Sequence, residues 1–477
     1  MLLLIWSVTL SASPVTAHAA TPLAITNVTV IDATGAGAQA DMTVIIVGDR
    51  ITGIDKANCI IVPKGARVLD GRGKYLIPGL WDMHVHIRDE RFLELFTAYG
   101  VTGVRHMFTP PLTSTSSIKK LQAEIDAGKR SGPRIIAAFH AIDGAKPVAA
   151  GDKISVKNAK DAQDAVRKLK ADGEDFIKVY SNLSREAYFA ILDEANRGPR
   201  KLAVAGHVPH AVSAAEASDR GQKSIEHAYS VLLGCSTKEE QLRKDLLGLV
   251  AGGRLDKVDA ATAWRIHVQA IQSYDDRKAT ALFEKFAKNG TWQVPTLTVR
   301  RAWSSLHDPT FTNDERKKNL PNGIGLLWTH TVDKGVVKLP LMGVELNMVD
   351  IQNQKILFRA YLKLVKSMHD AKVKLLAGTD TPIPYCFPGS GVHDELELLV
   401  EAGMTPLEAI QTATRNPAEY LERLKDLGTI EKDKIADLVL LETDPLKDIR
   451  NMRKIAAVVV RGTYLSRESL DKLRDGK

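Results

Sequence analysis

Cysteine is scarce in this 477-residue sequence, which contains only Cys59, Cys235 and Cys386. Their spacing matches no zinc knuckle, and three cysteines cannot all pair within one chain. A fold built on disulfides is therefore excluded, although the sequence leaves a single bridge open. Cys235, in HAYSVLLGCS, has no nucleophile-elbow motif around it, which argues against a role as a catalytic nucleophile.

The sequence also lacks any concentrated run of basic residues. Its formal charge of +8 is spread along the chain, which indicates a solvated basic surface that mildly favours anionic partners. This pattern argues against a nucleic-acid interface. With 44% hydrophobic and 26% charged residues, the composition is that of a globular protein. We therefore expect a globular protein without a nucleic-acid partner.

No apolar run in the sequence is long enough for a standard transmembrane helix. The N-terminal stretch MLLLIWSVTLSASPVTAHAATPLAI has an apolar region, small residues and an A-x-A-like site at Ala17-His18-Ala19, as a secretory signal does. No Lys or Arg precedes the apolar region, a departure that a mis-assigned start codon would explain. We predict a signal peptide over residues 1–19, export, and no membrane attachment after cleavage. A buried N-terminal strand is the alternative.

Strand-like segments dominate both ends of the chain. Residues 20–75 include LAITNVTVIDATG and DMTVIIVGDRITGI, and residues 423–477 include KIADLVLLETDPL and IAAVVVRGTYL. Alternation, β-branched residues and Gly/Asp turns predict strands in both regions. We predict that the two ends pair into one small β-sandwich domain, so that the chain leaves this domain and later returns to it.

The middle of the chain, residues 76–422, alternates helix-like and strand-like segments. DFIKVY, KLAVAGHV and KSIEHAY each follow a helix-like segment. Such alternation predicts a parallel sheet, and at this length a closed (β/α)₈ barrel. GTWQVPTLTV is predicted to be the seventh strand and AKVKLLAGTD the eighth. The predicted fold class is therefore α/β, a TIM barrel with a β-sandwich built from both chain ends.

Potential metal ligands recur where the predicted barrel strands end. His84 and His86, in GLWDMHVHIRDE, are two residues apart and would share one face of a strand, as a pair of metal ligands would. The later strand ends carry Lys178, His207, His227 and Asp380. One such residue is usually structural, but the series falls repeatedly at the barrel edge that holds active sites.

This series, inside a barrel flanked by β-rich ends, resembles the amidohydrolase superfamily of metal-dependent hydrolases. IPGLWDMHVH, AGHVP, SIEHAY, LLAGTDTP and GTIEKDKIADLVLLETDPL are similar to its imidazolonepropionase-like branch. That branch includes Xaa-Pro and Xaa-Arg/Lys dipeptidases and ochratoxin-hydrolysing amidases. The resemblance covers nearly the whole chain after the predicted signal.

The resemblance implies two divalent metal ions, usually zinc. It assigns the ligands as follows: His84, His86 and Asp380 for one ion, His207 and His227 for the other. Lys178 would bridge both ions after carboxylation, because an unmodified lysine is cationic and has no acceptor atom. A hydroxide between the ions would attack the scissile carbonyl, and Asp380 would serve as general base and then as general acid.

The implied function is hydrolysis of the amide bond in a dipeptide-like or N-acyl amino acid substrate, with carboxypeptidase or prolidase character. Ochratoxin A, an amide of phenylalanine, fits this class, although no residue singles it out. A lactonase, an esterase or a cyclic-amide hydrolase could use the same site. Lys178 disfavours a deaminase, because deaminases of the superfamily usually use one metal and lack this lysine. The filled ligand positions disfavour a non-catalytic homologue, and relatives suggest a homo-oligomer.

Three further residues are predicted to contact substrate. Tyr180 lies two residues after Lys178 on the same strand face and could donate a hydrogen bond. His140 ends the predicted strand RIIAAFH and could shape the pocket. His393, in GSGVHDELELL, follows the predicted eighth strand in a loop that could cover the site; capping of the next helix is the alternative.

Overall fold

The computed structural model of the protein describes residues 21–111, 113–145, 151–251 and 260–476. The predicted signal peptide over residues 1–19 lies outside the described residues. Within the described ranges, no helix combines the length and the apolar character that a membrane span requires.

Short strands open the described chain, and strands then alternate with helices. The elements up to residue 234 are β1 (Leu23–Val30), β2 (Gln39–Val47), β3 (Arg50–Lys56), β4 (Arg67–Asp70), β5 (Tyr75–Pro78), β6 (Leu80–Val85), α1 (Arg91–Ala98), β7 (Val101–His106), α2 (Thr115–Asp126), β8 (Arg134–Ala137), β9 (Ala141–Asp143), β10 (Lys153–Ser155), α3 (Ala159–Asp172), β11 (Ile177–Val179), α4 (Arg185–Ala195), β12 (Val204–Gly206), α5 (Ala214–Asp219), β13 (Ser224–Glu226) and α6 (Tyr229–Gly234).

The rest of the chain is richer in helix until its last strands. Its elements are α7 (Glu239–Ala251), α8 (Ala260–Gln272), α9 (Asp276–Asn289), β14 (Trp292–Val294), α10 (Leu297–Ser305), α11 (Pro309–Thr312), α12 (Asn322–Leu327), β15 (Thr331–Asp333), β16 (Val336–Leu339), β17 (Val344–Leu346), α13 (Met348–Asp370), α14 (Ser390–Glu401), α15 (Pro406–Thr412), α16 (Arg415–Tyr420), β18 (Leu438–Leu441), β19 (Ile455–Val460), β20 (Thr463–Ser466) and α17 (Arg467–Asp475). Short 3-10 helices cover Glu315–Asn319, Pro340–Met342 and Ile449–Arg453.

The parallel strands from β6 onward close into a barrel. β6 pairs with β7 and β7 with β8, while β9, β11, β12, β13 and β14 pair in that order. Only three residues separate β8 from β9, and the two together form the third strand, so these elements supply seven strands. The segment after α13 supplies the eighth strand, because parallel bridges join Leu375 to Gln293 and Thr381 to Val85. The predicted (β/α)₈ barrel is therefore confirmed.

The seventh barrel strand is shorter than its sequence suggests. Only Trp292–Val294 of GTWQVPTLTV is strand, and Leu297 already begins α10. Thr296 separates the two with a φ of 47°, a left-handed conformation that ends the strand. The prediction of strand over residues 297–299 was wrong, because these apolar and β-branched residues are buried by the packing of a helix.

Strands from both chain ends form one eight-stranded sheet, in the order β20-β19-β18-β5-β1-β2-β3 with β4 beside β1. Leu438 and Leu440 share a small core with Val30 and Val44 of the other half of the sheet. The alternate residues, such as Val439, pack in the barrel's core instead. The sheet therefore folds over its own core as a sandwich. The predicted boundary at residue 75 falls inside β5, which pairs with β18.

Two helices of the barrel, α3 and α4, begin at short polar residues. The side chains of Asn158 and Ser184 accept hydrogen bonds from the backbone N–H groups of Asp161 and Ala187, at the starts of α3 and α4. Such caps satisfy N–H groups that have no partner within the helix. They fix where each helix begins, and therefore how long the preceding loop is at the carboxyl ends of the barrel strands.

Candidate active site and metal centre

A cavity of about 680 Å³ opens at the carboxyl ends of the barrel strands. Its floor carries every metal ligand that the sequence predicts: His84, His86, Lys178, His207, His227 and Asp380. Aromatic and aliphatic side chains form most of its upper wall, including Phe108, Trp303 and Trp328. A concave, mainly apolar pocket with a few converging polar groups is the usual form of a small-molecule site.

A β-bulge aims the first two histidines into the barrel. The register between β6 and β7 shifts between Asp82 and Val85, so one extra residue of β6 bends the strand. The side-chain nitrogens of His84 and His86 both approach the carboxylate of Asp380. The distances from Asp380 Oδ1 are 3.4 Å to His84 Nε2 and 3.1 Å to His86 Nε2.

Acceptor-only groups hold the other nitrogen of each of these histidines. His84 Nδ1 lies 2.7 Å from Glu226 Oε2, and His86 Nδ1 lies 3.1 Å from the carbonyl oxygen of Phe108. Because a carboxylate or a carbonyl only accepts, both Nδ1 atoms donate. Each Nε2 is therefore unprotonated, and its lone pair faces the centre of the cavity. Metal-binding histidines are usually held in this way, with the opposite ring N–H donated to a carboxylate or a carbonyl.

Glu226 is itself held by a buried arginine. Arg105 Nη2 donates to Glu226 Oε1 at 2.7 Å, and both side chains are fully buried. Burial by itself would raise the pKa of Glu226, but the charge of Arg105 and the hydrogen bond from His84 hold it below its ordinary value. Glu226 is therefore an anion, and it strengthens His84 as a donor of electron density.

Hydroxyl groups hold the second pair of histidines. His207 Nδ1 lies 2.7 Å from Ser181 Oγ, and His227 Nδ1 lies 2.8 Å from Thr296 Oγ1. The rings of His207 and His227 meet edge to face with centroids 4.9 Å apart. The ring of Tyr180 stacks on His207 with a centroid distance of 4.1 Å. These contacts bring His207 and His227 to one side of the cavity floor.

Lys178 lines the same cavity as the two pairs of histidines. It is fully buried in β11, and its burial lowers its pKa to about 8, although the nearby charges of Glu226 and Asp380 raise it. A buried amine with this pKa is partly neutral near pH 7.5. The neutral amine is the form that reacts with carbon dioxide, so the environment of Lys178 suits carboxylation.

The last predicted ligand, Asp380, has an unusual backbone conformation. Its φ is 57°, and that of His227 is 63°, a left-handed region that non-glycine residues visit uncommonly and that recurs at active sites. Burial raises the pKa of Asp380, but the histidines around its carboxylate, His84 and His86 among them, outweigh burial and lower it. Asp380 is therefore ionised.

The residues fit a metal ion at the first position on geometric grounds. One ligand atom from each of His84, His86 and Asp380 lies within 4.8 Å of the others. Two imidazoles and a carboxylate are a donor set typical of zinc. His207, His227 and Lys178 line the same cavity.

The structure places the three predicted substrate contacts differently. Tyr180 lines the cavity. His140 does not line it, and its Nδ1 lies 2.7 Å from the buried carboxylate of Glu174. His393 is inside α14 and not in a loop, and its Nε2 donates to the backbone carbonyl of Tyr99 at 2.9 Å. Each of these two side chains is turned to a partner outside the cavity, and contact of His140 or His393 with substrate stays a prediction.

Residues 75–465 of this chain match the amidohydrolase family. The chain belongs to the amidohydrolase family. Ochratoxinase of Aspergillus niger is 37% identical to this amidohydrolase over 101 residues, which are 21% of this chain and 20% of ochratoxinase. That likeness therefore concerns one segment of each protein, about a fifth of its length.

Two solved structures share the fold of this amidohydrolase across most of the chain. Bottromycin amidohydrolase has a TM-score of 0.73 and 20% identity, with 95% of this chain and 90% of the other covered. A Xaa-Pro dipeptidase with bound methionine has a TM-score of 0.64 and 21% identity, with coverages of 94% and 100%. At these identities the likeness establishes the fold alone.

Sequence reasoning missed the residues that support the ligands of this amidohydrolase. Glu226 precedes His227 in SIEHAY and gave no separate signal, since its partner His84 is 142 residues away in the chain. Arg105 likewise lies 121 residues from its partner Glu226. Arg300 also escaped notice, although it is 1% exposed and lines the cavity.

Proposed function

We propose that this amidohydrolase cleaves the amide bond of a dipeptide-like or N-acyl amino acid substrate with two zinc ions as cofactors. The observation that carries the proposal is the convergence of His84 Nε2 and His86 Nε2 on Asp380 Oδ1, at 3.4 Å and 3.1 Å. The opposite ring nitrogens are held by a carboxylate and a carbonyl, so the metal-binding lone pairs point inward.

The chain's residues divide into two ligand groups with one shared residue. His84, His86 and Asp380 would hold one ion, His207 and His227 the other, and carboxylated Lys178 both. When bound, the two ions would lower the pKa of water and polarise the scissile carbonyl. The carbamate on Lys178 would add two acceptor oxygens and a negative charge, which a plain ammonium lacks.

Asp380 would move the proton that amide cleavage requires. Its Oδ1 faces the nitrogens of His84 and His86, whereas its Oδ2 lies 4.0 Å from His227 Nδ1. Asp380 is ionised and can therefore accept a proton before it donates that proton to the leaving amine. Phe108 and Tyr180 line the cavity beside the ligands and would limit the access of bulk water.

The test combines metal analysis with a substrate panel. We expect about two zinc ions per chain and release of amine from N-acyl amino acids, dipeptides or ochratoxin A. Faster cleavage of lactones, esters or cyclic amides would support the same site but a different scissile bond. One metal ion per chain would favour mononuclear chemistry. Protein purified without chelator and free of metal would contradict the mechanism.

Export and self-association also belong to this proposal. The apolar N-terminal segment and the Ala17-His18-Ala19 motif support removal of residues 1–19 during export. N-terminal sequencing of the secreted protein should begin at Ala20, and an intact Met1 would contradict export. Light scattering should give a mass above the 52.2 kDa of one chain, whereas a monomeric mass would contradict the homo-oligomer.

A further inference from the structure

Two arginines line the cavity on either side of Asp380. Arg88 follows β6 by three residues, and Arg300 lies in α10 directly after β14. The eighth strand, which ends at Asp380, lies between β14 and β6 in the barrel. The two guanidinium groups therefore flank the loop that carries the proposed proton carrier. Burial lowers the pKa of both guanidinium groups, and the negative charge of Asp380 opposes this effect.

Both arginines have a fixed position. Arg300 is 1% exposed, and its guanidinium lies over the ring of Tyr361 at 5.0 Å from the centroid. Arg88 is half-buried, and its Nη1 donates to the carbonyl of Pro111 at 3.4 Å. Its buried Nε has no hydrogen-bond partner among the described residues. Such a donor points to a ligand, because buried polar atoms normally have partners.

The charged side chains favour an anion in the sector of the cavity that Arg88 and Arg300 flank. Among the described residues that line the cavity, Asp380 is the only carboxylate, whereas Arg88, Lys178 and Arg300 are cationic side chains. Carboxylation would reverse the charge of Lys178 but would leave both guanidinium groups. Arginine is the usual partner of a substrate carboxylate, because its planar fork matches two carboxylate oxygens.

We infer that Arg300, assisted by Arg88, binds the free α-carboxylate of the amino acid that leaves when the amide is cleaved. This inference rests on the proposed function. In an N-acyl amino acid, one carbon separates the α-carboxylate from the amide nitrogen. If Asp380 delivers its proton to that nitrogen, the carboxylate must lie in the same sector of the cavity. This is the sector that Arg88 and Arg300 flank.

The other side chains in this sector are mainly apolar and favour an amino acid whose side chain is also apolar. Trp303 follows Arg300 by one helical turn, and Trp328 donates its Nε1 hydrogen to the carbonyl of Pro382 at 3.0 Å. Leu327 and Ile383 also line the cavity. The leaving amino acid would thus carry a large apolar side chain, while lactones and cyclic amides without a carboxylate would offer the two arginines no negative charge.

A matched pair of substrates tests the inference. N-benzoyl-L-phenylalanine carries the carboxylate, and N-benzoyl-L-phenylalaninamide replaces it with a neutral amide. With the zinc-loaded enzyme, release of benzoate should favour the acid by roughly 10- to 100-fold in kcat/KM, the usual effect of a charge-assisted hydrogen bond. Equal kcat/KM for the two compounds would overturn the inference, while the proposed amide hydrolysis would stand.

The arginine variants show where this preference arises. Arg300→Met should lower kcat/KM for the acid by roughly 10- to 100-fold, mainly through KM, and leave the carboxamide nearly unchanged. Arg300→Lys should restore part of the preference because it keeps the charge. Arg88→Met, at a half-buried position, should give a smaller loss of the same kind. The matched control is Arg277→Met, since Arg277 is exposed on α9. Equal losses for acid and carboxamide would overturn the inference.

A binding measurement separates this inference from the proposed function. If the zinc-loaded enzyme hydrolyses neither compound, the proposed function fails for this substrate class. Calorimetric titration with the same two compounds then decides the inference. Tighter binding of the acid that is lost in Arg300→Met would support a carboxylate site, and equal binding of acid and carboxamide would overturn it.

Discussion

The two halves of the candidate metal centre are supported by different chemistry. In the first half, His84 and His86 donate from Nδ1 to a carboxylate and to a carbonyl, which can only accept. In the second half, His207 and His227 meet the hydroxyls of Ser181 and Thr296, which can donate or accept. The chain alone fixes the tautomers of the first half.

This difference indicates an order of assembly. The ligand atoms of His84, His86 and Asp380 already lie within 4.8 Å of one another, so the first ion would meet a prepared site. The second half has only His207 and His227 besides the shared Lys178, so it would depend more strongly on the carboxylation of that lysine. We therefore expect the first half to bind metal more tightly, and the following predictions challenge that expectation in order of decreasing effect.

Removal of the shared ligand should have the largest effect. In Lys178→Ala, we expect kcat to fall by at least about 10³-fold and the metal content to fall from about two ions to about one per chain. The first half should keep its ion because its own ligands remain. Elemental analysis and amide hydrolysis measure both quantities. Loss of both ions in a folded variant would mean that the two halves are not independent.

The next largest effect should come from the carboxylate behind His84. Glu226→Gln removes the anion that pairs with Arg105 and accepts from His84. Breaking a buried pair typically costs about 3–5 kcal/mol of stability, and losing such a support lowers metal affinity about 10- to 100-fold. Chemical denaturation and zinc titration measure these losses.

Glu174→Gln provides the matched control for Glu226→Gln. Glu174 is also a fully buried carboxylate that meets a histidine, His140, at 2.7 Å, but outside the cavity. This variant should lose stability and keep its zinc affinity. If both variants lost zinc affinity equally, Glu226 would have no special role in the first half.

Removal of the hydroxyls should have a smaller effect, restricted to the second half. Ser181→Ala and Thr296→Val each remove one hydrogen bond to a histidine, so we expect a loss of about tenfold in the affinity for the second ion. Stability should fall by only about 1 kcal/mol per variant. Competition with a zinc chelator resolves the two ions, and a change confined to the tighter ion would reverse our assignment of the halves.

The smallest effect should appear outside the cavity. His393→Gln keeps an N–H donor for the carbonyl of Tyr99, so stability should change by less than about 1.5 kcal/mol. We expect kcat/KM to stay within about twofold of the wild type. A large fall in kcat/KM without a loss of stability would return His393 to the substrate site, as its position in the sequence first suggested.

Local patterns in the sequence were sufficient for the fold. Helix–strand alternation predicted the barrel, and two β-rich ends predicted a shared sandwich. Both predictions succeeded because the spacing of apolar residues within a segment indicates whether it forms a helix or a strand. The seventh strand was predicted too long for the opposite reason. Its last residues would suit a buried strand as well as a buried helix. A threonine also gives no indication of the left-handed conformation that Thr296 adopts.

The sequence by itself determined which residues would be drawn to the site. His84, His86, Lys178, His207, His227 and Asp380 follow from strand ends and residue chemistry, and the structure places them on one cavity floor. Only the tertiary structure decided what supports them. Glu226 reaches His84 across 142 residues, and Arg88 and Arg300 flank Asp380 only because the barrel closes between β14 and β6. Contacts between charged residues that are far apart in the sequence produce no periodic pattern along the chain. They become visible only when the strands are placed side by side.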